Sequence, residues 1–439
     1  MSVVRFRPGP PRIKRTPPSG GVFFCPAPPF PLWQNHTRDF FLSPPDPLCE
    51  NAPPHWMVRM MIRLAAITTG MTLLLAACKP AATAPAHDIP AAMRETATTL
   101  LQSTLLHAAS IAVVYRGKEF ILHQGELETG KANPPNDTTL YEIGSVSKTF
   151  AGLLLANAVL DGKAALDDPI QKYLPAAYPN LQSQGQPVRL RHLITHTSNM
   201  PGMLPLQVNT VLQDFTAHAT PAKLNAAYAN YGQRQFWQDL HTVNINGPLG
   251  KDYAYSSAGT ELVAHALETI YGMPYEVLLT QFVAREAGMH DTRLSIAARD
   301  SDRLAPGYHS DNPVITTPMP QLPWGAAGNL KSTMPDMAKY LRLQLSAHRA
   351  VVESHKPLLR FQDDFSIGYF WNIGTNRQLG THYVHHGGVP RAQGYAYIVP
   401  KYQLGVYIIT NQSGDATAGA MESALAHIFD TVASMESAK

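Results

Sequence analysis

Apolar residues follow two spacings along this chain, and each spacing predicts its own kind of element. Short apolar-rich runs at 110–115 and 118–123 flank the pair Arg116-Gly117, which is typical of a β-hairpin with a glycine-containing turn. Strand-like runs return near the C-terminus, at 365–371, 382–386, 392–399 and 404–410. Apolar residues at helical spacing predict helices at 90–109, 151–160, 258–271, 330–345 and about 416–434.

The order of these elements predicts the fold class. Strands lie towards both ends of the chain, and residues 176–330 between them are mainly helical and rich in loops. We therefore expect an α+β fold, a mixed α/β arrangement in which one sheet is built from both chain ends and flanked by helices. A mainly helical domain is inserted between those ends. With 439 residues, 45% of them apolar, the chain is long enough for such a core.

The N-terminal residues follow neither spacing. Residues 1–56 hold 14 of the 37 prolines, so we expect them to be disordered or to lie upstream of the true translation start, at Met57, Met60 or Met61. Residues 57–77 have the basic start and short apolar stretch of a signal peptide. That stretch leads to Cys78 through Leu-Ala-Ala, which resembles the lipobox of bacterial lipoproteins; a buried core helix is the alternative. Residues 78–90 are then a linker that begins at a lipidated Cys78.

This leader changes what charge and cysteine content imply. The formal net charge is +3, but residues 1–79 hold nine Lys and Arg against three acidic residues, so the remainder has a net charge of −3. A slightly acidic body without a basic patch argues against a nucleic-acid partner. No cysteine follows Cys78, which excludes a disulfide, a thiol nucleophile and a thiolate zinc site in the body. We expect a periplasmic protein, lipid-anchored to a bacterial membrane, with Lys79 favouring the outer membrane.

The first candidate for chemistry is Ser145, which begins a predicted helix after Gly144. Lys148 is three residues further on, so the two side chains share one helix face. The free N–H groups at a helix start favour a developing anion, and a desolvated lysine can serve as a base for serine. The alternative, without a catalytic role, is a helix-capping serine beside a solvated lysine.

Two distant segments offer partners for this serine. Tyr255 stands just before the helix at 258–271, where its hydroxyl could pass a proton; the alternative is a packed aromatic residue. In the stretch Val384-His-His-Gly-Gly388, glycines allow a substrate to approach a strand edge; the alternative is a glycine-rich hairpin with a surface histidine. The backbone N–H groups of Ser145 and Val389 could together form an oxyanion hole.

Three motifs in a fixed order carry a family resemblance. They are Ser145-Val-Ser-Lys148, Tyr255-Ser-Ser257 and His386-Gly-Gly388. Together they resemble the serine β-lactamase and penicillin-binding superfamily, in the branch of class C β-lactamases, D-alanyl-D-alanine carboxypeptidases and family VIII-type esterases. The resemblance implies a β-lactamase/transpeptidase-like fold with an antiparallel sheet, and a serine hydrolase domain over residues 91–439.

The resemblance also implies a role for each matching residue. Ser145 matches the acylated nucleophile, Lys148 its base or proton-transfer partner, and Tyr255 the group that protonates the leaving atom and activates water. Which of Lys148 and Tyr255 deprotonates the serine stays open, and the two form a coupled pair. The N–H groups of Ser145 and Val389 match the oxyanion hole. The substrate-binding positions of the family match Ser257, His386, Gly387 and Gly388. No cofactor is implied.

Two departures from the family pattern bear on the substrate. Ser257 replaces the usual asparagine, and His386 replaces a lysine that would bind the β-lactam carboxylate. We therefore expect a carboxypeptidase-like or esterase-like hydrolase, and at most a weak β-lactamase, acting on a small molecule or a peptidoglycan peptide. The alternative is a non-catalytic, cell-wall-binding lipoprotein of the same fold. A metallohydrolase is disfavoured because no His-Glu-x-x-His motif or His-x-His-x-Asp cluster occurs, and the oligomeric state stays open.

Overall fold

The computed structural model describes residues 88–438. The predicted N-terminal segment 1–56, the signal peptide 57–77 and the lipidated Cys78 lie outside the described residues and remain predictions. None of the helices within the described range is both long and apolar enough to cross a bilayer.

Fourteen strands occur within residues 88–438. In chain order they are β1 Ala108–Tyr115, β2 Lys118–Gly125, β3 Tyr141–Glu142, β4 Gln182–Ser183, β5 Gln186–Pro187, β6 Tyr308–His309, β7 Lys331–Ser332, β8 Leu359–Gln362, β9 Phe365–Gly368, β10 Trp371–Asn376, β11 Gly380–Val389, β12 Ala392–Val399, β13 Leu404–Thr410 and β14 Gln412–Ser413. Eight of them form one antiparallel sheet in the order β2-β1-β13-β12-β11-β10-β9-β8. The N-terminal hairpin therefore pairs with the C-terminal strands, as the sequence predicts.

Helices cover this sheet and fill the segment between its two parts. They are α1 Ile89–Leu100, α2 Ser147–Leu160, α3 Leu190–Ile194, α4 Gln207–Leu212, α5 Thr220–Tyr228, α6 Gln233–Leu240, α7 Ser257–Tyr271, α8 Tyr275–Ala287, α9 Met334–Gln344, α10 Arg349–Ser354 and α11 Asp415–Ser437. Short 3₁₀ turns occur at Gly144–Val146, Ile170–Tyr173, Ala298–Arg303 and Pro400–Tyr402.

The two faces of the sheet carry different helices. On one face, the ring of Tyr397 in β12 lies 5.2 Å from that of Phe429 in α11. Gly405 in β13 faces the other way, because a Cβ on it would lie 2.9 Å from Leu341 in α9. With helices on both faces of the sheet, β1 and β13 are buried along their whole length, and most of their residues are apolar.

The α+β fold predicted from the sequence is confirmed, with two local corrections. The predicted helix 90–109 ends at Leu100, and Ala108 already pairs with Gly125 as a strand. The predicted strand 365–371 is broken by Tyr369 and Phe370, which have φ values of 47° and 70° and turn the chain between β9 and β10.

Candidate active site

Ser145 lies in the 3₁₀ turn that precedes α2, and two glycines let this turn contact the edge of β11. Gly144 has φ of +56°, and a Cβ on it would lie 2.8 Å from the backbone nitrogen of Gly388. A Cβ on Gly387 would lie 2.1 Å from the carbonyl oxygen of Ile143. Backbone therefore packs directly on backbone here, which fixes the position of Ser145 relative to the sheet.

Lys148 is fully buried one turn along, beside the serine. Its Nζ lies 3.0 Å from Oγ of Ser145 and donates to the carbonyl oxygen of Ala327 at 2.6 Å. Burial lowers the pKa of Lys148 to about 7, and the negative charge of Glu261 opposes that shift. An amine with this pKa is neutral often enough at neutral pH to accept a proton from serine.

Tyr255 reaches the same oxygen from the segment before α7. Its hydroxyl lies 2.7 Å from Oγ of Ser145, and its ring centroid lies 4.8 Å from Nζ of Lys148. The segment is fixed by the N-cap Ser256, whose side chain accepts from the N–H of Gly259, and by His196, which accepts from the N–H of Ser256. Burial raises the pKa of Tyr255, so its phenol keeps its proton at neutral pH.

The structure places His385 and His386, two neighbouring histidines of β11, on opposite faces of the sheet, because successive strand residues alternate. His385 shares the face of Gly387 and is 4% exposed. Burial and the nearby charge of Lys148 lower the pKa of His385 to about 3. The ring of His386 instead lies 4.6 Å from that of Tyr395. His385, rather than His386, therefore lies on the face of the sheet towards Lys148, and the substrate-binding role of His386 stays a prediction.

The register of β11 also bears on the predicted oxyanion donors. The strand is joined to β12 by the two-residue turn Pro390-Arg391, so Val389 and Ala392 form the pair next to the turn. In such a hairpin this pair exchanges both backbone hydrogen bonds and the next pair exchanges none. The N–H of Val389 thus points to β12, whereas that of Gly388 points away from it, towards the Ser145 turn. Gly388, rather than Val389, therefore presents its N–H to the Ser145 turn, and the oxyanion role of Val389 stays a prediction.

Ser257 lies at the first position of α7, where its backbone N–H donates to the carbonyl oxygen of Gly202 at 2.8 Å. The asparagine expected at this position would supply an acceptor for Lys148. In this chain the carbonyl oxygen of Ala327 supplies one.

Three groups at this site are not evident from the sequence motifs. No side-chain pattern could reveal the carbonyl of Ala327, since any residue supplies one. The position of His385 in the site was not evident, because the stretch Val384-His-His-Gly-Gly388 can be aligned with the third family motif in two ways, one residue apart. Glu261 could have been identified from the sequence, because it is an acidic residue among mostly apolar residues of α7.

This arrangement can perform acyl transfer. The oxygen of Ser145 contacts the amine of Lys148, which can be neutral at neutral pH, and the phenol of Tyr255. It also lies beside two backbone N–H groups at the start of a helix. Among the described residues, no group of three His, Cys, Asp or Glu side chains is arranged to hold a metal ion.

Comparisons with known proteins agree on one family. A family model described as "Beta-lactamase" matches residues 93–429. A beta-lactamase of Pseudomonas fluorescens is 28% identical over 295 residues, covering 67% of this chain and 74% of that protein. The D-alanyl-D-alanine-carboxypeptidase/endopeptidase AmpH of Escherichia coli (strain K12) is 27% identical over 236 residues, covering 54% and 57%. The crystal structure of a beta-lactamase/D-alanine carboxypeptidase from Yersinia pestis has a TM-score of 0.65 at 21% identity and covers 78% of this chain and 98% of that one.

Proposed function

The chain belongs to the beta-lactamase family and is a serine hydrolase, and we propose that it cleaves ester or amide bonds through an acyl-enzyme formed on Ser145. The family match confirms the resemblance found in the sequence, and the likeness to the Yersinia pestis structure confirms the β-lactamase/transpeptidase-like fold. One observation carries the proposal: Nζ of Lys148 and the hydroxyl of Tyr255 lie 3.0 and 2.7 Å from the same oxygen of Ser145.

In the proposed acylation step, Oγ of Ser145 attacks the substrate carbonyl carbon while neutral Lys148 accepts its proton. The pKa of about 7 makes Lys148 a suitable base at neutral pH. Tyr255 keeps its own proton there and relays one to the departing alcohol or amine. Water then attacks the acyl carbonyl, releases the acid and restores the hydroxyl of Ser145.

The negative charge that develops on the carbonyl oxygen needs donors fixed in advance. The N–H groups of Ser145 and Gly388 are suited to this role, because both belong to backbone segments in direct contact. The start of α2 adds the positive end of a helix at the same place. Loss of one such donor typically costs about 10²–10³ in rate.

Two features favour an esterase-like or carboxypeptidase-like substrate over a β-lactam. With a pKa of about 3, His385 is neutral at neutral pH and provides no permanent cation for a substrate carboxylate. Ser257 has a shorter side chain than asparagine for holding a substrate amide. We propose short acyl esters and peptidoglycan-type peptides as the preferred substrates, with β-lactams as weak ones.

The proposed location is the periplasm, with a lipid on Cys78 that anchors the protein to a membrane, more specifically the outer one. Support comes from the sequence: a basic start, a short apolar stretch and the Leu75-Ala-Ala-Cys78 segment. Palmitate labelling of the expressed protein, compared with Cys78→Ala, tests this anchor.

The proposed activity is tested with a chromogenic short-chain ester, a fluorescent penicillin and a peptide ending in D-alanyl-D-alanine. We expect turnover of the ester or the peptide, slow labelling by the penicillin, and loss of all three in Ser145→Ala. Absence of both turnover and label in the parent protein would instead support the non-catalytic binding lipoprotein.

A further inference from the structure

Glu261 is a buried acidic residue that the mechanism above does not use. It lies in α7, six residues after Tyr255 in the chain, and is 3% exposed. An ionised carboxylate is costly to bury unless its oxygens are satisfied and its charge is offset. Both conditions are met, and each of them leads to the catalytic lysine.

The oxygens of Glu261 are satisfied by one loop. Oε2 accepts from the N–H groups of Trp324 and Gly325 at 2.6 and 3.0 Å, and Oε1 accepts from that of Ala327 at 2.8 Å. The carbonyl oxygen of the same Ala327 accepts from Nζ of Lys148. Glu261 therefore fixes the position of Ala327, and Ala327 in turn accepts the hydrogen bond from Lys148.

The charge of Glu261 is offset by the same lysine. Each group affects the other: Glu261 opposes the lowering of the Lys148 pKa, and Lys148 opposes the burial that raises the pKa of Glu261. The other titratable groups that face the pair come from several elements: Tyr255, His196 and His385 around Lys148, and Tyr228 and Tyr275 around Glu261. Burial lowers the pKa of both histidines and raises that of all three tyrosines, so each is neutral at neutral pH.

We propose that Glu261 is a positioning residue for acylation: its carboxylate fixes the Trp324–Ala327 loop so that Ala327 receives Lys148, and its charge stabilises the ammonium formed when Lys148 takes the Ser145 proton. The inference rests on the proposed function, since it assigns Glu261 to the same site. The transferred proton moves from Oγ of Ser145 to Nζ of Lys148, and Glu261 stays ionised throughout. Without this carboxylate, the titratable groups named above around the buried ammonium would all be neutral.

The direct test follows Lys148 without any substrate. Protein labelled with ¹³C at lysine Cε is titrated by NMR, with the Lys148 resonance assigned by its loss in Lys148→Arg. In Glu261→Gln we expect the titration midpoint to fall by about one pH unit, because an adjacent opposite charge is lost. An unchanged midpoint overturns the proposal.

A matched control exists on the same helix. Glu268 binds the same loop through Nε1 of Trp324 at 2.7 Å, but its charge interacts with His265. Glu268→Gln should leave the Lys148 midpoint unchanged. Glu261→Asp keeps the charge with a shorter side chain, so its midpoint should stay near that of the parent protein while acylation slows.

The kinetic arm separates an electrostatic role from a structural one. In Glu261→Gln, the acidic limb of the ester acylation profile should move down by about one pH unit, while the plateau rate falls about tenfold. A lower plateau with an unmoved limb would mean a merely structural role and contradict the proposal. If the parent protein turns over neither the ester nor the peptide and takes no penicillin label, the proposed function fails, whereas the NMR titration still decides the coupling of Lys148 to Glu261.

Misfolding of Glu261→Gln would not leave the question open. The carboxyl carbon of Glu261 can be titrated in the parent protein, with its resonance assigned from Glu261→Asp. The proposal requires Glu261 to be ionised at the pH where Lys148 titrates. A carboxyl group still protonated at that pH would overturn it.

Discussion

The hydroxyl of Tyr255 lies 2.7 Å from Oγ of Ser145, although 110 residues separate them in the chain. The site therefore joins the turn before α2, which carries Ser145, to the segment before α7, which carries Tyr255. Because burial raises the pKa of Tyr255 and lowers that of Lys148, the proposed mechanism divides the proton transfers between the two groups. It assigns the role of base to Lys148, and that of proton donor and relay to Tyr255.

Removing only the hydroxyl of Tyr255 tests this division. Tyr255→Phe keeps the ring over Lys148 but removes the relay, so we expect the rate of ester hydrolysis to fall about 10²–10³-fold. The melting temperature should change little. Tyr253→Phe, two residues earlier, is the matched control and should keep most of the activity. A Tyr255→Phe protein as active as the parent would contradict the role of the hydroxyl.

The burial of Lys148 should reduce stability in a pH-dependent way. Between pH 7 and the unfolded lysine pKa of 10.5, the unfolded chain binds more protons than the native one, so the free energy of unfolding rises with pH. Below pH 7 this penalty is complete, at about 5 kcal/mol for a shift of this size. It is lost once the pH exceeds the unfolded value.

Lys148→Met removes that penalty together with the activity. We expect the variant to gain about 3 kcal/mol more in unfolding free energy, relative to the parent, at pH 6 than at pH 9. Denaturant titrations at both pH values measure this difference. Lys163→Met, at an exposed lysine, should show no such pH dependence. Equal gains at both pH values would mean that Lys148 has an ordinary pKa.

The backbone contact between Gly387 and the Ser145 turn predicts unequal effects of two neighbouring substitutions. A Cβ on Gly387 would lie 2.1 Å from the carbonyl oxygen of Ile143, so Gly387→Ala must displace the turn. We expect a loss of about 1–3 kcal/mol in stability and about 10² in rate. On Gly388 the nearest atom would be 3.4 Å away, on His386, so Gly388→Ala should alter the melting temperature much less. Equal thermal effects would refute the strand register described above.

His385 and His386 in β11 should differ in their control over substrate choice. His385→Lys places a cation on the Lys148 face of the sheet, so we expect the ratio of penicillin labelling to ester turnover to rise about tenfold. His386→Lys places the cation on the other face, near Tyr395, and should leave this ratio within about twofold. The reverse order would show that His386 binds the substrate, as the sequence motif suggested.

The features that could be predicted from the sequence are those that depend on the local spacing of residues. The hairpin around Gly117, the helix after Ser145 and the final strands follow from residue spacing, because each buries its own apolar face. The proximity of Ser145 and Lys148 follows from helix geometry alone. Tyr255 was identified from motif order, since nothing local tells which distant tyrosine reaches the serine.

Other features depend on tertiary geometry that no local pattern encodes. Which face of the sheet His385 and His386 occupy depends on the strand register, and the hairpin turn at Pro390-Arg391 sets that register. The contribution of Ala327 is a backbone carbonyl, and that of Glu261 passes through a loop more than 60 residues away. Such contacts become visible only when the helices are packed on the sheet.

Locating the acyl group by mass spectrometry tests the central claim most directly. The protein is mixed with an ester or a penicillin, quenched within seconds and digested, and the modified peptide is sequenced. The account predicts one acyl group, on Ser145, that is absent from Ser145→Ala and strongly reduced in Lys148→Met. An acyl group on any other residue would contradict the account. Substrate turnover by Ser145→Ala without any acyl group on the protein would contradict it as well.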